Sequence, residues 1–529
     1  MQTTNRVVIN TLFQYLRLVL NVVIGLYSVR IILNALGASD YGIFDLIYGV
    51  VGLMGVISSS LSQTSLRYLS VHLGKGDNLK TKQIFSVCFW LHFLIASFLS
   101  LILFFVGFFL FEGLLNIPEE RIGTAHLLYY TMVLGLFLNI AVTPFNAMIM
   151  AHEKFVFLSC VQIFDSLCKL GIAFVIAATT SDRLLLYGIL IVVVTVVNVL
   201  CYIFFAGIYY RDKMSIHIVG FVEMKEVGGF AGWTLLDIIG SVATRQGYAI
   251  LINSFFGTVL NAVFALARQI EQNVYTISAS VIDSIKPQIM KSHGAGNTNR
   301  MFRLSLTAGK FGFAMMSLIA IPLLVMIPEI LTLWLHEVPE GTILFTRLMV
   351  AACMSEQLTR GLVYANQAIG NIKWFSIIVS SIRFIALPIS WLLFYFGAPS
   401  YVAIVVFFIC ETFGSFIRVF IMAFISEFKA ISFIQSVLLQ LLVPFIISIL
   451  ICIFSYHFLK GVWGILAVCV ITALTYLILL LFFGLTEEEN LSIHKLVAST
   501  SKRILGISSM ETSRIVNNSI PQKHSLLDE

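Results

Sequence analysis

The chain of 529 residues is 59% hydrophobic and only 11% charged, with a mean hydropathy of +0.96. Apolar runs of about 20 residues recur from one end to the other, which excludes a soluble protein and implies a polytopic helical membrane protein. The formal net charge of +6 is the excess that positive-inside loops produce by themselves, and no basic, aromatic-interleaved patch points to nucleic acid.

In chain order, residues Met1 to Asn10 carry one Arg and run into a long span without a small-residue cleavage site, so the first helix is expected to stay in the product. That span, Val8 to Leu36, carries Asn10, Gln14, Arg17, Asn21 and Ser28 at helical spacing, with Gly25 filling the gap. They share one helix face, which is too polar for lipid tails and must look at protein or at a water-filled cavity. Five further spans are expected at Gly42 to Val71, Ile84 to Phe111, Leu127 to Met150, Phe155 to Ala178 and Leu184 to Ile208. A second set follows at Gly229 to Phe255, Val259 to Ile285, Leu304 to Leu335, Ile343 to Gly370, Trp374 to Phe396 and Tyr401 to Ile425, and Ile431 to Phe458 and Val462 to Phe483 close the bundle. This makes about 14 transmembrane helices, each long enough to cross roughly 30 Å of hydrocarbon. Cys88, Cys160, Cys168, Cys201, Cys353, Cys410, Cys452 and Cys469 stand singly in these spans, as small core residues do, and neither disulfides nor metal ligands are expected.

Loop charge orients the bundle. Even-numbered connections carry Lys75, Lys80, Lys82, Lys154, Arg211, Lys213, Lys225, Lys286, Lys291, Arg300, Arg303, Lys373 and Lys429. Odd-numbered ones offer Arg121, Arg183 and Lys460 against Glu112, Glu119, Glu120, Glu337 and Glu340. Both termini are therefore expected in the cytoplasm. The segment Gly74 to Asn78 lacks the spacing of a phosphate loop and reads as a turn.

An internal repeat has an offset of 220: Gly37 meets Gly257, Ser58 and Ser60 meet Ser278 and Ser280, Gly76 meets Gly296, Lys80 meets Arg300 and Asn146 meets Asn366. The expected architecture is all-α, with two six-helix lobes related by a pseudo-twofold along the membrane normal plus two C-terminal helices. The boundaries are 1–210, a cytoplasmic linker 211–228, 229–428, two helices in 429–485 and a polar cytoplasmic tail 486–529, in which Glu487 to Glu489 precede Lys495, Lys502 and Arg503.

The repeat places a second polar stripe on Thr234, Asp237, Ser241 and Tyr248, with Arg245 beside it, and the eighth span adds Asn261, Arg268, Gln272 and Tyr275. Gln14, Arg17, Asn21, Arg245, Arg268, Gln272 and Tyr275 are therefore the expected substrate-binding residues, and Asp45, Asp237 and Glu271 the candidates for ion coupling or a charge switch. Arg17 and Asp237, equivalent and opposite in sign, are expected either to neutralise each other across the cleft or to serve separate purposes. Asp165 with Lys169, Glu356 with Arg360 and Arg268 with Glu271 read as pairs along one helix, whereas Arg17, Arg30, Arg347 and Arg383 need partners from elsewhere. His92 and His126 read as core or interface residues. Spare guanidinium groups on wet faces suit an anionic substrate, because the planar fork matches phosphate. A cavity ruled by acids would instead suit a cation-coupled drug antiporter. No enzyme is expected, since the catalytic loops of membrane transferases are missing, and no catalytic residue, metal site or cofactor is assigned; Na⁺ or H⁺ coupling stays open.

Six plus six plus two spans, the Leu36 to Gly42 turn, the Ser65-Leu66-Arg67-Tyr68 to Gly76-Asp77 loop and the echoes at Gly257 and at His293 to Gly296 together resemble the polysaccharide-transporter branch of the MATE-like (MOP) superfamily, which includes Wzx-type O-antigen flippases and the lipid II flippase. The resemblance covers Asn5 to about Leu485. It implies a V-shaped exporter in a bacterial inner membrane, moving an undecaprenyl-pyrophosphate-linked oligosaccharide for surface polysaccharide or lipopolysaccharide by alternating access. Membrane lipids and polysaccharide-assembly proteins are the partners it implies. The lipid II flippase has cavity arginines on helices 1, 2 and 8; Arg17 and Arg268 sit in comparable places, while the second span has Asp45 and no mid-span Arg.

Overall fold

The computed structural model describes residues 2–52, 54–109, 111, 118–180, 182–335, 338–486 and 489. Glu112, Glu337, Glu487, Glu488, the tail beyond Glu489 and the side chain of Asp45 lie outside the described residues. Helices α1 (Gln2–Gly52), α2 (Gly55–Lys75), α3 (Asn78–Phe109), α4 (Ile122–Ala141), α5 (Thr143–Ala151), α6 (Phe155–Ala178) and α7 (Arg183–Tyr209) form the first half. The second half has α8 (Phe221–Gly294), α9 (Thr298–Leu335), α10 (Thr342–Ile369), α11 (Ile372–Tyr395) and α12 (Tyr401–Ile425), followed by α13 (Ala430–Phe433), α14 (Leu439–Phe458) and α15 (Gly461–Leu479).

The length of α8 is deceptive. Arg245 and Glu271 touch at 3.0 Å, yet 26 residues of straight helix would hold them about 39 Å apart. The chain therefore turns back on itself at Gly257, whose φ of 81° and ψ of −173° are open to glycine and strained for a side chain. Gly37 interrupts α1 with nearly the same dihedrals, φ 77° and ψ 166°. The repeat extends to the opposite ends of these helices. Gly76 and Gly296 have φ of 72° and 73°, and the next residues, Asp77 and Asn297, each accept the backbone N–H three positions on at 2.9 Å. Gly74 to Asn78 is thus a capped turn.

A two-fold relation between similar units demands reciprocal contacts. The backbone of Lys291 passes against Gly74, and that of Val71 against Gly294; Val71 and Lys291 are themselves 220 apart. The pseudo-twofold axis therefore runs between the ends of α2 and α8.

Eleven helices among the described residues are long and apolar enough to cross a membrane. Of the expected spans, the second limb of α8 is continuous with the first, while α2 and α10 fall short in apolar composition. Polar residues are tolerated in these two because protein, not lipid, surrounds them: Ser60, Thr64, Ser65, Gln357, Thr359 and Asn366 are all buried. The last residues of the expected linker are helical. Glu223 accepts the N–H of Gly220 at 2.8 Å and starts α8 at Phe221, ahead of the apolar run at Gly229.

Packing defines a V. At the Gly76 and Gly296 end one apolar cluster runs through both halves, joining Leu66, Tyr68 and Met148 to Ile282, Ile289 and Val350. At the Gly37 and Gly257 end the core divides. Ile43, Ile47 and Leu128, with Ile32, Ile172 and Tyr187, belong to the first half alone, and Tyr248, Val263, Phe345 and Phe407 to the second alone.

Candidate functional site

The floor of the V is sealed by polar contacts between the halves. Gln14 donates to Ser284 Oγ at 2.7 Å and Tyr15 to the Ile277 carbonyl at 3.0 Å. Nearer the helix ends, Lys291 pairs with Glu153 at 2.7 Å and Gln288 donates to the same carboxylate at 3.1 Å, while Asn10, within the first half, donates to the Glu153 carbonyl at 3.0 Å and holds that residue in place. Across the pseudo-twofold, Arg67 donates to the Gln367 carbonyl at 2.6 Å and lies over the Phe230 ring at 4.5 Å. His152, stacked on Tyr210 at 3.9 Å, is pushed down to about 4 by burial and by Lys213 and Lys291. It stays neutral above pH 5 and adds no charge to the latch.

Above this floor the second half holds a dense buried network. Arg383 from α11 reaches Glu411 of α12 at 2.8 Å, Glu356 of α10 at 3.2 Å and Asp237 of α8 at 3.4 Å. Glu356 also takes Arg360 at 2.7 Å and Arg418 at 3.6 Å. Arg245 and Glu271 complete it at 3.0 Å. Four guanidinium groups and four carboxylates balance, as burial requires. Ser241, Arg245, Glu271, Cys353, Glu356, Arg383 and Glu411 surround a cavity of about 10 Å³, room for about one water. Among the described residues no His, Cys, Asp and Glu cluster forms a metal site.

The expected site residues fall into three groups. Gln14 belongs to the floor, and Asn21 accepts from Ser166 of α6 at 2.8 Å inside the first half. Arg245, Glu271, Asp237 and Tyr275 join the network; Gln272 accepts from Arg245 at 3.3 Å, and Tyr275 accepts from Arg360 at 2.9 Å. Arg17 and Arg268 are half-buried and make no hydrogen bond or ion pair among the described residues. The charge that Arg17 feels is that of Asp283. One expectation is corrected: Arg268 does not pair with Glu271, because Arg245 on the facing limb of the hairpin takes that carboxylate. Of the two alternatives for Arg17 and Asp237, mutual neutralisation does not occur, because Arg383 holds Asp237 within the second half.

Other expectations hold: Lys169 pairs with Asp165 at 2.8 Å, Arg347 finds the Leu324 carbonyl at 3.0 Å, and His92 is buried with Nδ1 2.6 Å from the Cys88 carbonyl oxygen. Glu411, Arg418 and the hub role of Glu356 escaped the sequence reading. A signal existed, since Glu411 and Arg418 stand seven apart on one face of an apolar span with no counter-charge within a turn.

The sequence matches no protein-family model and, by sequence, no curated protein. The fold does have solved counterparts. A MATE transporter in the bent conformation superposes with a TM-score of 0.69 at 12% identity, over 79% of this chain and 95% of that one. The MATE transporter ClbM, solved with Rb⁺, gives 0.66 at 16% identity over 81% and 95%. A MOP-superfamily transporter from Pyrococcus furiosus, described as having a binding pocket of reversed polarity, gives 0.62 at 12% over 82% and 96%. The chain therefore has the fold of the MATE and MOP transporters, a membrane-transporter fold.

Proposed function

We propose that this protein is a flippase that moves an undecaprenyl-pyrophosphate-linked oligosaccharide across a bacterial inner membrane by alternating access, for surface polysaccharide or lipopolysaccharide assembly. The observation that carries this reading is how the charges are allotted. A cation-coupled antiporter needs free carboxylates, but Asp237, Glu271, Glu356 and Glu411 are each held by arginine. On these faces the guanidinium groups of Arg17 and Arg268 make no ion pair among the described residues and can take a pyrophosphate in bidentate fashion, while the carboxylate of Asp283, also without an ion pair there, lies close enough to act on Arg17.

In this reading residues 1–210 and 229–428 are the lobes, residues 429–485 add two helices, and Arg17 and Arg268 grip the head group. The basic connections face the cytoplasm with both termini, so the V opens to the periplasm and the Glu153 to Lys291 contact is its closed cytoplasmic gate. Cation-coupled drug export by the same fold is the second reading, favoured by the side chain of Asp237, which is one-third exposed and held by one contact at 3.4 Å.

A deletion strain tests the two. The flippase reading expects undecaprenyl-linked repeat units to accumulate in the inner leaflet, surface polymer to disappear and cationic-dye resistance to hold. Raised dye sensitivity with normal surface glycan overturns it.

A further inference from the structure

Between the last turn of α7 and the start of α8 the chain exposes apolar side chains that no protein group covers. Ile218 is 89% exposed, Phe221 79% and Val222 80%, and Ile216 is also exposed. The segment does not hang free. Trp90 Nε1 donates to the His217 carbonyl at 2.9 Å, and Ser86 Oγ donates to the Ser215 carbonyl at 2.5 Å, so both hold it against α3.

That attachment fixes its depth. No Asp, Glu, Lys or Arg follows Lys82 in α3, and the hydrocarbon is counted back from the far end of the helix at Phe109, through residues 91–109. At 1.5 Å per residue they span about 28 Å, close to the roughly 30 Å of a bilayer's hydrocarbon. Trp90 therefore marks one edge of the hydrocarbon, where indole rings concentrate, and Lys80 and Lys82 lie beyond it. Residues 216–222, bonded to Trp90, lie at the same level. Tyr209, exposed at the end of α7, adds a second aromatic there. Arg211, Lys213 and Lys225 flank the apolar residues but are balanced by Asp212, Glu223 and Glu226, so the net positive charge at this level comes from Lys80 and Lys82 of α3, and apolar residues beside such a charge are the pattern of a segment that lies in the interface of an anionic leaflet.

We propose that residues 216–222 insert into the headgroup and upper acyl region of the leaflet on the Gly76 and Gly296 side, as an anchor for anionic lipid. The segment is bonded to the first half through α3 and continues into the second half through α8. The bilayer surface then holds the connection between the lobes at constant depth while they rock about the floor of the V.

The test uses full-length protein in nanodiscs of phosphatidylglycerol and phosphatidylethanolamine, with spin labels at Ile218→Cys and Val222→Cys and the accessible Cys160 replaced by Ser. Oxygen is expected to collide with both labels more often than a water-soluble nickel chelate, with the reverse order at Arg211→Cys. Exchanging phosphatidylglycerol for phosphatidylcholine should lower the oxygen-to-nickel ratio at Ile218→Cys about twofold. In the chain with its cysteines intact, a benzophenone at position 218 should crosslink to lipid. Nickel dominance at positions 218 and 222 places the segment in water, and shielding from both reagents with crosslinks to protein gives it a protein partner; either result overturns the proposal. A ratio indifferent to anionic lipid overturns the role given to Lys80 and Lys82.

Discussion

Replacing Arg383 by Met removes one cation from three acids, and the structure says which of them suffers. Glu356 keeps Arg360 at 2.7 Å and Arg418 at 3.6 Å. Asp237 is one-third exposed and can recruit water. Glu411 is buried and loses its ion-pair partner at 2.8 Å. One buried carboxylate without a counter-charge costs about 3 kcal/mol, the lower end of the usual 3–5 kcal/mol for breaking such a pair. With about 2–4 °C of Tm per kcal/mol for a unit of about 200 residues, the midpoint should fall by about 6–12 °C. Arg383→Met with Glu411→Gln removes the stranded charge and should recover more than half of that loss. Thermal unfolding in nanodiscs at pH 7.5 measures both. A single variant as stable as the parent, or a double variant no more stable than the single, would falsify the reading of the network as a self-neutralised scaffold.

Arg17→Ala should leave the Tm within about 2 °C of the parent, since it breaks no pair, yet lower surface-polymer export at least tenfold at matched protein level. Arg17→Lys should keep a fraction, having the charge without the planar fork; full export by Arg17→Ala would reduce this residue to packing. Gly74→Ala and Gly294→Ala each set a Cβ against backbone across the axis, at Lys291 and Val71. Both should hold the lobes apart at the floor and lower the yield of a disulfide engineered between positions 153 and 291, and an unchanged yield would show that the helices part without cost.

Much of the fold was legible because two signals repeat. Glycines needing positive φ recur at the offset of 220, and so do the polar caps after them. The charged network was less legible, and the reason is geometric. Arg245 and Glu271 lie 26 residues apart and meet only because the hairpin at Gly257 folds them together. Spacing along one helix assigned Glu271 to Arg268 instead. Arg383 gathers acids from α8, α10 and α12, and no periodicity within α11 encodes that convergence. Arg17 was visible as a cation on a polar face, but that it would stay unpaired depended on Arg383 taking Asp237.

The duplication also shows where the halves have diverged. At the offset of 220, Arg245, Glu271 and Glu356 correspond to Gly25, Val51 and Leu136, and beyond a one-residue slip at Lys154 and Lys373 Arg383, Glu411 and Arg418 correspond to Phe164, Val192 and Val199, so the first half has no charge at these places. Its own polar contact between α6 and α7 is Asn198, which donates to Asp165 at 2.7 Å. The equivalent of Asp237 is Arg17, and with no Arg383 opposite it there was no cation for an acid at position 17 to neutralise. A guanidinium there lies in the field of Asp283 of α8 and makes no ion pair among the described residues. The second lobe thus adds a charged but self-neutralised network, and the cations without an ion pair among the described residues, Arg17 in the first lobe and Arg268 in the second, stand outside it. A pyrophosphate entering the V would meet Arg17 and Arg268 without first breaking an ion pair, whereas a cation seeking Asp237 or Glu271 would have to displace a guanidinium. In the reading proposed above, that difference is the reason to assign an anionic cargo.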